Sequence, residues 1–223
     1  MSGIESLYPF LYADGDDGQS VEQVFAEVRR STREKVSEIA ALREQVLATY
    51  ADALVACAGA MAVAFAAGGR LFSFGNGGSS TDAQAVAEMF SAPGDPGAGL
   101  PAIALTADVA VLTALSNDVS FEVVFARPLA ASGGPGDIAL GLSTSGNSSN
   151  VLRAFAQARR QGMLTVGLAG YDGGRMAEVD TIDHLFVMPS SSVHRIQEAQ
   201  TTVYQVLGEL TLRAVSGTSA PRH

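Results

Sequence analysis

Two short loops hold the residue types that could do chemistry. Ser143-Thr144-Ser145-Gly146-Asn147-Ser148 places four hydroxyls within six residues. An apolar run (137–142) precedes it and a helical pattern follows, so the loop sits between a strand end and the first turn of a helix. The first N–H groups of a helix have no intrahelical acceptor and carry the positive end of the helix dipole. Hydroxyls beside such groups make a cradle for a phosphate dianion that requires no lysine. A serine-rich cap that only satisfies the helix start is the plainer alternative, although one residue suffices for a cap. The second loop, Gly75-Asn76-Gly77-Gly78-Ser79-Ser80, also joins a strand run to a helix, expected from about Thr81. It lacks the Lys-Ser/Thr of a Walker loop, and Ser80 stands where a dinucleotide fingerprint has its third glycine. What remains is a glycine-rich turn that presents backbone N–H groups. A tight strand-to-helix turn capped by Ser79, Ser80 or Thr81 fits equally well.

Titratable groups suited to catalysis are few. The chain has three histidines, His184, His194 and the terminal His223, and a single cysteine, Cys57. One cysteine excludes an intramolecular disulfide and a thiolate metal cluster, and its apolar surroundings place it in a helix core. His194 sits at the start of the final helix, just before Arg195, and is a candidate acid or base, with a helix-start histidine of no chemistry as its alternative. Glu198, four residues on, fits a first-turn acid facing the helix dipole. His184 lies within a strand run and reads as a partly buried structural residue.

The elements that must position these residues follow from periodicity. Residues 1–18, with Tyr8, Phe10 and Tyr12 around Pro9, are expected to be an irregular lead. Helical spacing begins at Ser20, whose pairing with Gln23 fits a capping box, and continues in stretches of about 31–49 and 50–67 before Gly68-Gly69. Five short apolar runs then alternate with helical patterns: 70–74, 101–105, 137–142, 164–168 and 184–187. Such alternation predicts a parallel sheet covered on both faces, with ligands at the carboxyl ends of its strands. The segment 94–99 is expected to be a surface loop, the final helix to span about 193–215, and 217–223 to be a tail.

With 223 residues, 47% of them hydrophobic and 17% charged, the chain has material for a sizeable core. Its net charge of −9 leaves no broad electrostatic footprint for nucleic acid or an anionic membrane. No run of 18 apolar residues occurs, and the alanine-rich stretch 51–67, with Asp52 and Gly59 inside, reads as a buried helix. A soluble, cytoplasmic protein is expected.

Four segments in order carry a resemblance: Phe74-Gly75-Asn76-Gly77-Gly78-Ser79, Leu115-Ser116-Asn117-Asp118, Gly141 to Ser148, and Arg195-Ile196-Gln197-Glu198. Together they resemble the sugar isomerase (SIS) domain, in its phosphoheptose isomerase branch, from about Glu34 onward. The resemblance implies an α/β three-layer sandwich with a five-stranded parallel sheet over 69–216, preceded by N-terminal helices over 19–68 that pack in a subunit interface. It implies that Ser143, Thr144, Ser145 and Ser148 grip a sugar phosphate. Asn76, Gly77, Gly78 and Ser79 would line the sugar with Asn117 and Asp118, and Gln197 would reach a sugar hydroxyl. Members of this branch assemble as homotetramers with sites built between subunits.

The resemblance breaks at the reacting groups. Moving a proton between adjacent carbons of an aldose or ketose needs a base and an acid, or a metal polarising both oxygens. In the catalytic relatives a His and a Glu four apart follow the glycine loop, and a Gln and a His eight apart lie on the last helix. The matching positions here are Ala85, Met89, Gln197 and Gln205, so the zinc site of the relatives is lost and no cofactor is expected. Glu88 neighbours Met89, but one helical step of about 100° turns it away, toward a partner arginine. His194 and Glu88 are therefore the remaining catalytic candidates. Two functions stay open. One is a phosphoheptose isomerase-like enzyme with rearranged groups. The other is a non-catalytic phosphosugar-binding regulator or scaffold, similar to proteins that associate with the bacterial replication initiator.

Overall fold

A computed structural model describes residues 21–93 and 99–218. The expected lead, the Ser20 cap, positions 94–98 of the expected surface loop and residues 219–223 lie outside the described residues. The chain divides into two units after Glu38. Within the first, residues 22–38 of the helix are exposed except for the half-buried Ser31, and Arg30 holds Glu27 at 2.7 Å and Glu34 at 3.5 Å along the helix face.

The three helical stretches expected over 20–67 are one continuous helix, α1 (Val21–Ala66). No proline interrupts it, and Thr49, at an expected break, bonds its hydroxyl back to the Gln45 carbonyl within the same helix. By length and composition alone α1 could cross a membrane, one window reaching a mean hydropathy of 1.7. Instead its Leu54, Cys57, Met61 and Phe65 are buried in a protein core. Cys57 lies there as expected, and burial pushes its thiol up to about 12.

The second unit is the expected sandwich. Strands β1 (Leu71–Gly75), β2 (Ala102–Ala104), β3 (Ile138–Ser143), β4 (Leu164–Gly170) and β5 (His184–Met188) form one parallel sheet in the order β2-β1-β3-β4-β5. Helices α2 (Gly78–Ser91), α3 (Val109–Asp118), α4 (Ala126–Ser132), α5 (Ser149–Arg160) and α6 (Val193–Thr218) follow the strands, with short 3₁₀ turns at Phe121–Val123 and Gly174–Ala177. The final helix thus runs three residues past the expected Val215.

Side chains alternate across the sheet with period two. Leu71, Ile138, Leu140 and Leu142 face a core shared with α1, α2 and α6. Phe72, Phe74 and Ala139 face the opposite core, built on Val124, Phe125, Leu129, Val151 and Phe155. Strands β1 and β3 are buried at every position, which is why they read as continuous apolar runs. At the amino ends of these strands, Asp137 accepts from the Arg70 backbone N–H at 2.8 Å and from its guanidinium at 2.9 Å, tying β1 to β3.

Candidate functional site

The sheet order creates the site. β1 and β3 are neighbours, yet the helix after β1 packs on one face and the helix after β3 on the other. Their loops diverge at the carboxyl ends and leave a crevice, the topological switch point of an open α/β sheet. The glycine loop and the hydroxyl loop are its two walls.

Neither wall follows the plainer reading of a side-chain cap. Helix α2 starts at Gly78, three residues before the expected Thr81, and its N-cap is Gly77 at φ 56° rather than Ser79, Ser80 or Thr81. A left-handed φ there costs a glycine little and a serine much, so the cap residue cannot carry a side chain cheaply. Helix α5 has Ser148 as its N-cap, but the hydroxyl makes no capping bond to the helix. It pairs instead with the Ser143 hydroxyl at 3.0 Å. Ser145 Oγ accepts from Asn147 N–H at 3.2 Å. Thr144 and Ser145 are half-buried beside them. Hydroxyls and helix N–H groups of α5 therefore converge without consuming one another.

Asn76 and Asn150 bridge the walls. The Asn76 amide donates to Asn150 Oδ1 at 2.9 Å, and the Asn150 amide returns a bond to Asn76 Oδ1 at 2.9 Å. Sequence reasoning missed Asn150. Its signal was a polar residue beginning the apolar face of α5, ahead of Val151, Leu152 and Phe155. A Cβ built on Gly78 would fall onto Nε2 of Gln197, so the first turn of α6 reaches the first turn of α2. Asn76, Gly77, Gly78, Gln197 and the hydroxyl loop thus share one region.

Other sequence candidates lie elsewhere. Asn117 and Asp118 are exposed at the end of α3, where the Asn117 amide donates to the Asp118 carboxylate at 2.7 Å rather than to either loop. Glu88 is exposed on α2 as its helical phase requires, but it makes no ion pair among the described residues, against the expected arginine partner. His194 is exposed in the first turn of α6. Glu198 lies past the first turn of α6, which holds no acid, so it does not face the helix dipole as expected; its carboxylate is held instead by the Arg195 guanidinium at 2.8 Å.

Further along the α2–α6 seam the two helices present different chemistry from that of a metal centre. Ala85 has no donor atom, and a Cβ on Gly208 would fall onto the thioether of Met89, so apolar packing fills the lower seam. Gln197 brings a neutral amide to Gly78 at the start of α2, and Gln205, another neutral amide, is exposed on α6. A thioether and amides do not fit Zn²⁺, which takes thiolate, imidazole and carboxylate ligands. One turn nearer the site, the Tyr204 hydroxyl donates to Asp82 at 3.4 Å, and burial raises the Asp82 carboxyl above its ordinary range while that bond opposes the shift. Sequence reasoning also missed this pair, which no local pattern marks.

Both the sequence and the fold have counterparts among known proteins. The SIS domain family matches residues 36–170, more than half of the chain. A phosphoheptose isomerase of Roseiflexus sp. (strain RS-1) is 44% identical over 188 residues, covering 82% of this chain and 94% of that protein. That of Aquifex aeolicus is 43% identical over 162 residues, covering 72% and 84%. The chain belongs to the SIS domain family, in its phosphoheptose isomerase-like branch. The solved phosphoheptose isomerase of Neisseria gonorrhoeae superposes on this SIS protein with a TM-score of 0.76 at 32% identity, covering 82% of this chain and 97% of that one. That of Francisella tularensis gives 0.71 at 30% identity, covering 82% and 98%.

Proposed function

We propose that this SIS protein binds a phosphorylated sugar of the kind handled by phosphoheptose isomerases, a ketose phosphate such as sedoheptulose 7-phosphate. The phosphate lies at the amino end of α5 among Ser143, Thr144, Ser145 and Ser148. The sugar runs along Asn76, Gly77, Gly78 and Ser79 toward Gln197. Asn117 and Asp118, exposed at the end of α3, complete the site in a cytoplasmic homotetramer. The observation that supports this most is the start of α5, where the Ser143 and Ser148 hydroxyls bond each other rather than the helix; Asn150 Oδ1 takes the Val151 N–H at 2.9 Å, and the N–H groups ahead of it are left to a ligand. An acidic protein holds a dianion by such placed dipoles rather than by a basic field.

Titration calorimetry with sedoheptulose 7-phosphate tests the reading. Binding is expected for the phosphorylated sugar and not for free sedoheptulose, and Ser145→Ala should weaken it about tenfold, the worth of one hydrogen bond to a charged group. Equal heats for the phosphorylated and free sugars would overturn the reading.

A second reading has its own support. The seam positions that titrate in catalytic relatives hold Ala85, Met89 and Gln205, and Met89 is packed against Gly208. This favours a regulator or scaffold that binds phosphosugar without converting it. Ketose-to-aldose conversion, measured with and without added zinc, separates the two. Binding without turnover selects the regulator. Turnover lost in His194→Ala or Glu88→Gln selects an enzyme with relocated acid–base groups.

A further inference from the structure

The hydroxyl loop borders a second cleft, over the carboxyl ends of β4 and β5 rather than β1. It has a volume of about 760 Å³ and is lined by Ser145, Asn147, Tyr171, Asp172 and, just after β5, Pro189 with the serines at 190 and 191. It is broad and open to solvent, so a ligand there would lie against its lining rather than be enclosed.

Tyr171 is the feature that needs explaining. Among the described residues it is the one non-glycine with positive φ, at 54°. A bulky residue in the left-handed region is strained, and the strain persists only where the surroundings impose it. Here they do. The turn after Tyr171 closes through Gly173 N–H to the Gly170 carbonyl at 2.8 Å and Gly174 N–H to the Asp172 carboxylate at 3.1 Å. It is then pinned to the hydroxyl loop, because Arg175 N–H donates to Asn147 Oδ1 at 3.1 Å and Met176 N–H to the Gly146 carbonyl at 3.0 Å. The backbone of the turn and the Asp172 carboxylate are thereby held beside the hydroxyl loop, while Tyr171 stays 39% exposed.

The chemistry of this lining is not that of a phosphate site. A carboxylate repels a dianion, whereas it accepts well from a vicinal diol, as acidic residues do from ribose. An exposed aromatic ring offers a stacking face to a base. Hydroxyls of Ser190 and Ser191 add adaptable donors and acceptors. We propose that this cleft takes the nucleoside of a ligand whose phosphate lies on the hydroxyl loop, so that one phosphate cradle serves two subsites. The proposal rests on the phosphate-binding reading of that loop. The shared chemistry is that of a free nucleoside 5′-monophosphate or of a sugar nucleotide, whose sugar would lie on the glycine-loop side.

Calorimetry on the full chain tests it, with inorganic phosphate, sedoheptulose 7-phosphate, AMP, UMP and UDP-glucose as probes. At least one nucleotide should bind ten-fold or more tightly than inorganic phosphate and compete with the sugar phosphate. Tyr171→Gly removes the ring at a position whose backbone suits glycine, and should weaken nucleotide binding about ten-fold, the loss expected of one base–aromatic stack. The same variant should leave sugar phosphate affinity unchanged, and Tyr171→Phe should restore nucleotide affinity. Tighter binding of UDP-glucose than of UMP identifies the sugar nucleotide as the source, and the reverse identifies the free nucleotide. Nucleotides binding no better than phosphate, or equally well to Tyr171→Gly, overturn the proposal. If sugar phosphate binds while nucleotides do not, this inference alone falls. If nucleotides bind through Tyr171 while sugar phosphates do not, the phosphosugar reading alone falls.

Discussion

Replacing Gly146 by alanine is expected to separate the hydroxyl loop from the turn that supports it. Gly146 has φ 66°, a left-handed conformation that costs an L-residue about 1–2 kcal/mol. Its added Cβ would fall onto the Gly173 carbonyl oxygen and lie 2.5 Å from the Gly173 carbonyl carbon and 3.1 Å from Gly174 N. All three are backbone atoms, so no side-chain rotation relieves the contact, and the turn at 171–177 must shift. Two hydrogen bonds then weaken, Met176 N–H to Gly146 O at 3.0 Å and Arg175 N–H to Asn147 Oδ1 at 3.1 Å. At about 1 kcal/mol each, with the conformational cost, the sum is about 3–4 kcal/mol. For a chain of this size that corresponds to a fall in Tm of roughly 6–16 °C. Urea denaturation followed by circular dichroism measures it. Gly78→Ala is the matched control. Its Cβ meets only the far end of the Gln197 side chain, which can rotate away, and alanine is favoured over glycine within a helix by up to about 1 kcal/mol. Its stability should be unchanged or higher, while affinity for a sugar phosphate falls because Gln197 is displaced. A cost below about 1 kcal/mol for Gly146→Ala, or an equal loss for Gly78→Ala, would refute the distinction between backbone and side-chain contacts on which the reasoning rests.

The Asn76–Asn150 bridge should appear as coupling in a double-mutant cycle. Each alanine variant leaves the partner amide half-satisfied, at about 1–2 kcal/mol, and the double variant should cost about 1 kcal/mol less than the sum. Strict additivity in urea melts would argue that the two loops are not joined. For Asp82, burial raises the folded-state carboxyl above its unfolded value, so the folded state binds the proton more tightly. That contribution to stability is present below the ordinary carboxyl range near pH 4 and is lost as pH rises through the raised folded value. Asp82→Asn should therefore melt higher than the parent chain at neutral pH, with the difference shrinking as pH falls toward about 4. A pH-independent difference would remove desolvation of Asp82 as its cause.

What the sequence determined by itself is the class of fold and the place of its loops. Apolar runs such as 137–142 alternating with amphipathic segments can only bury their faces as a covered parallel sheet, because the periods of two and 3.6 residues are local properties of the chain. Ser143 to Ser148 was likewise legible as a strand-to-helix junction rich in hydroxyls. The breaks inferred in α1 were not, since residues such as Thr49 satisfy a helix interior as readily as an end. Tertiary structure alone decided which loops share a crevice. The order β2-β1-β3-β4-β5 sets β1 beside β3 and sends their helices to opposite faces. It decided that Gly77 rather than a serine caps α2, that Asn76 meets Asn150 across 74 residues, and that Tyr171 is held left-handed against the hydroxyl loop. Such contacts depend on strand register and on the close approach of backbones distant in sequence, and no local pattern of residue types encodes either.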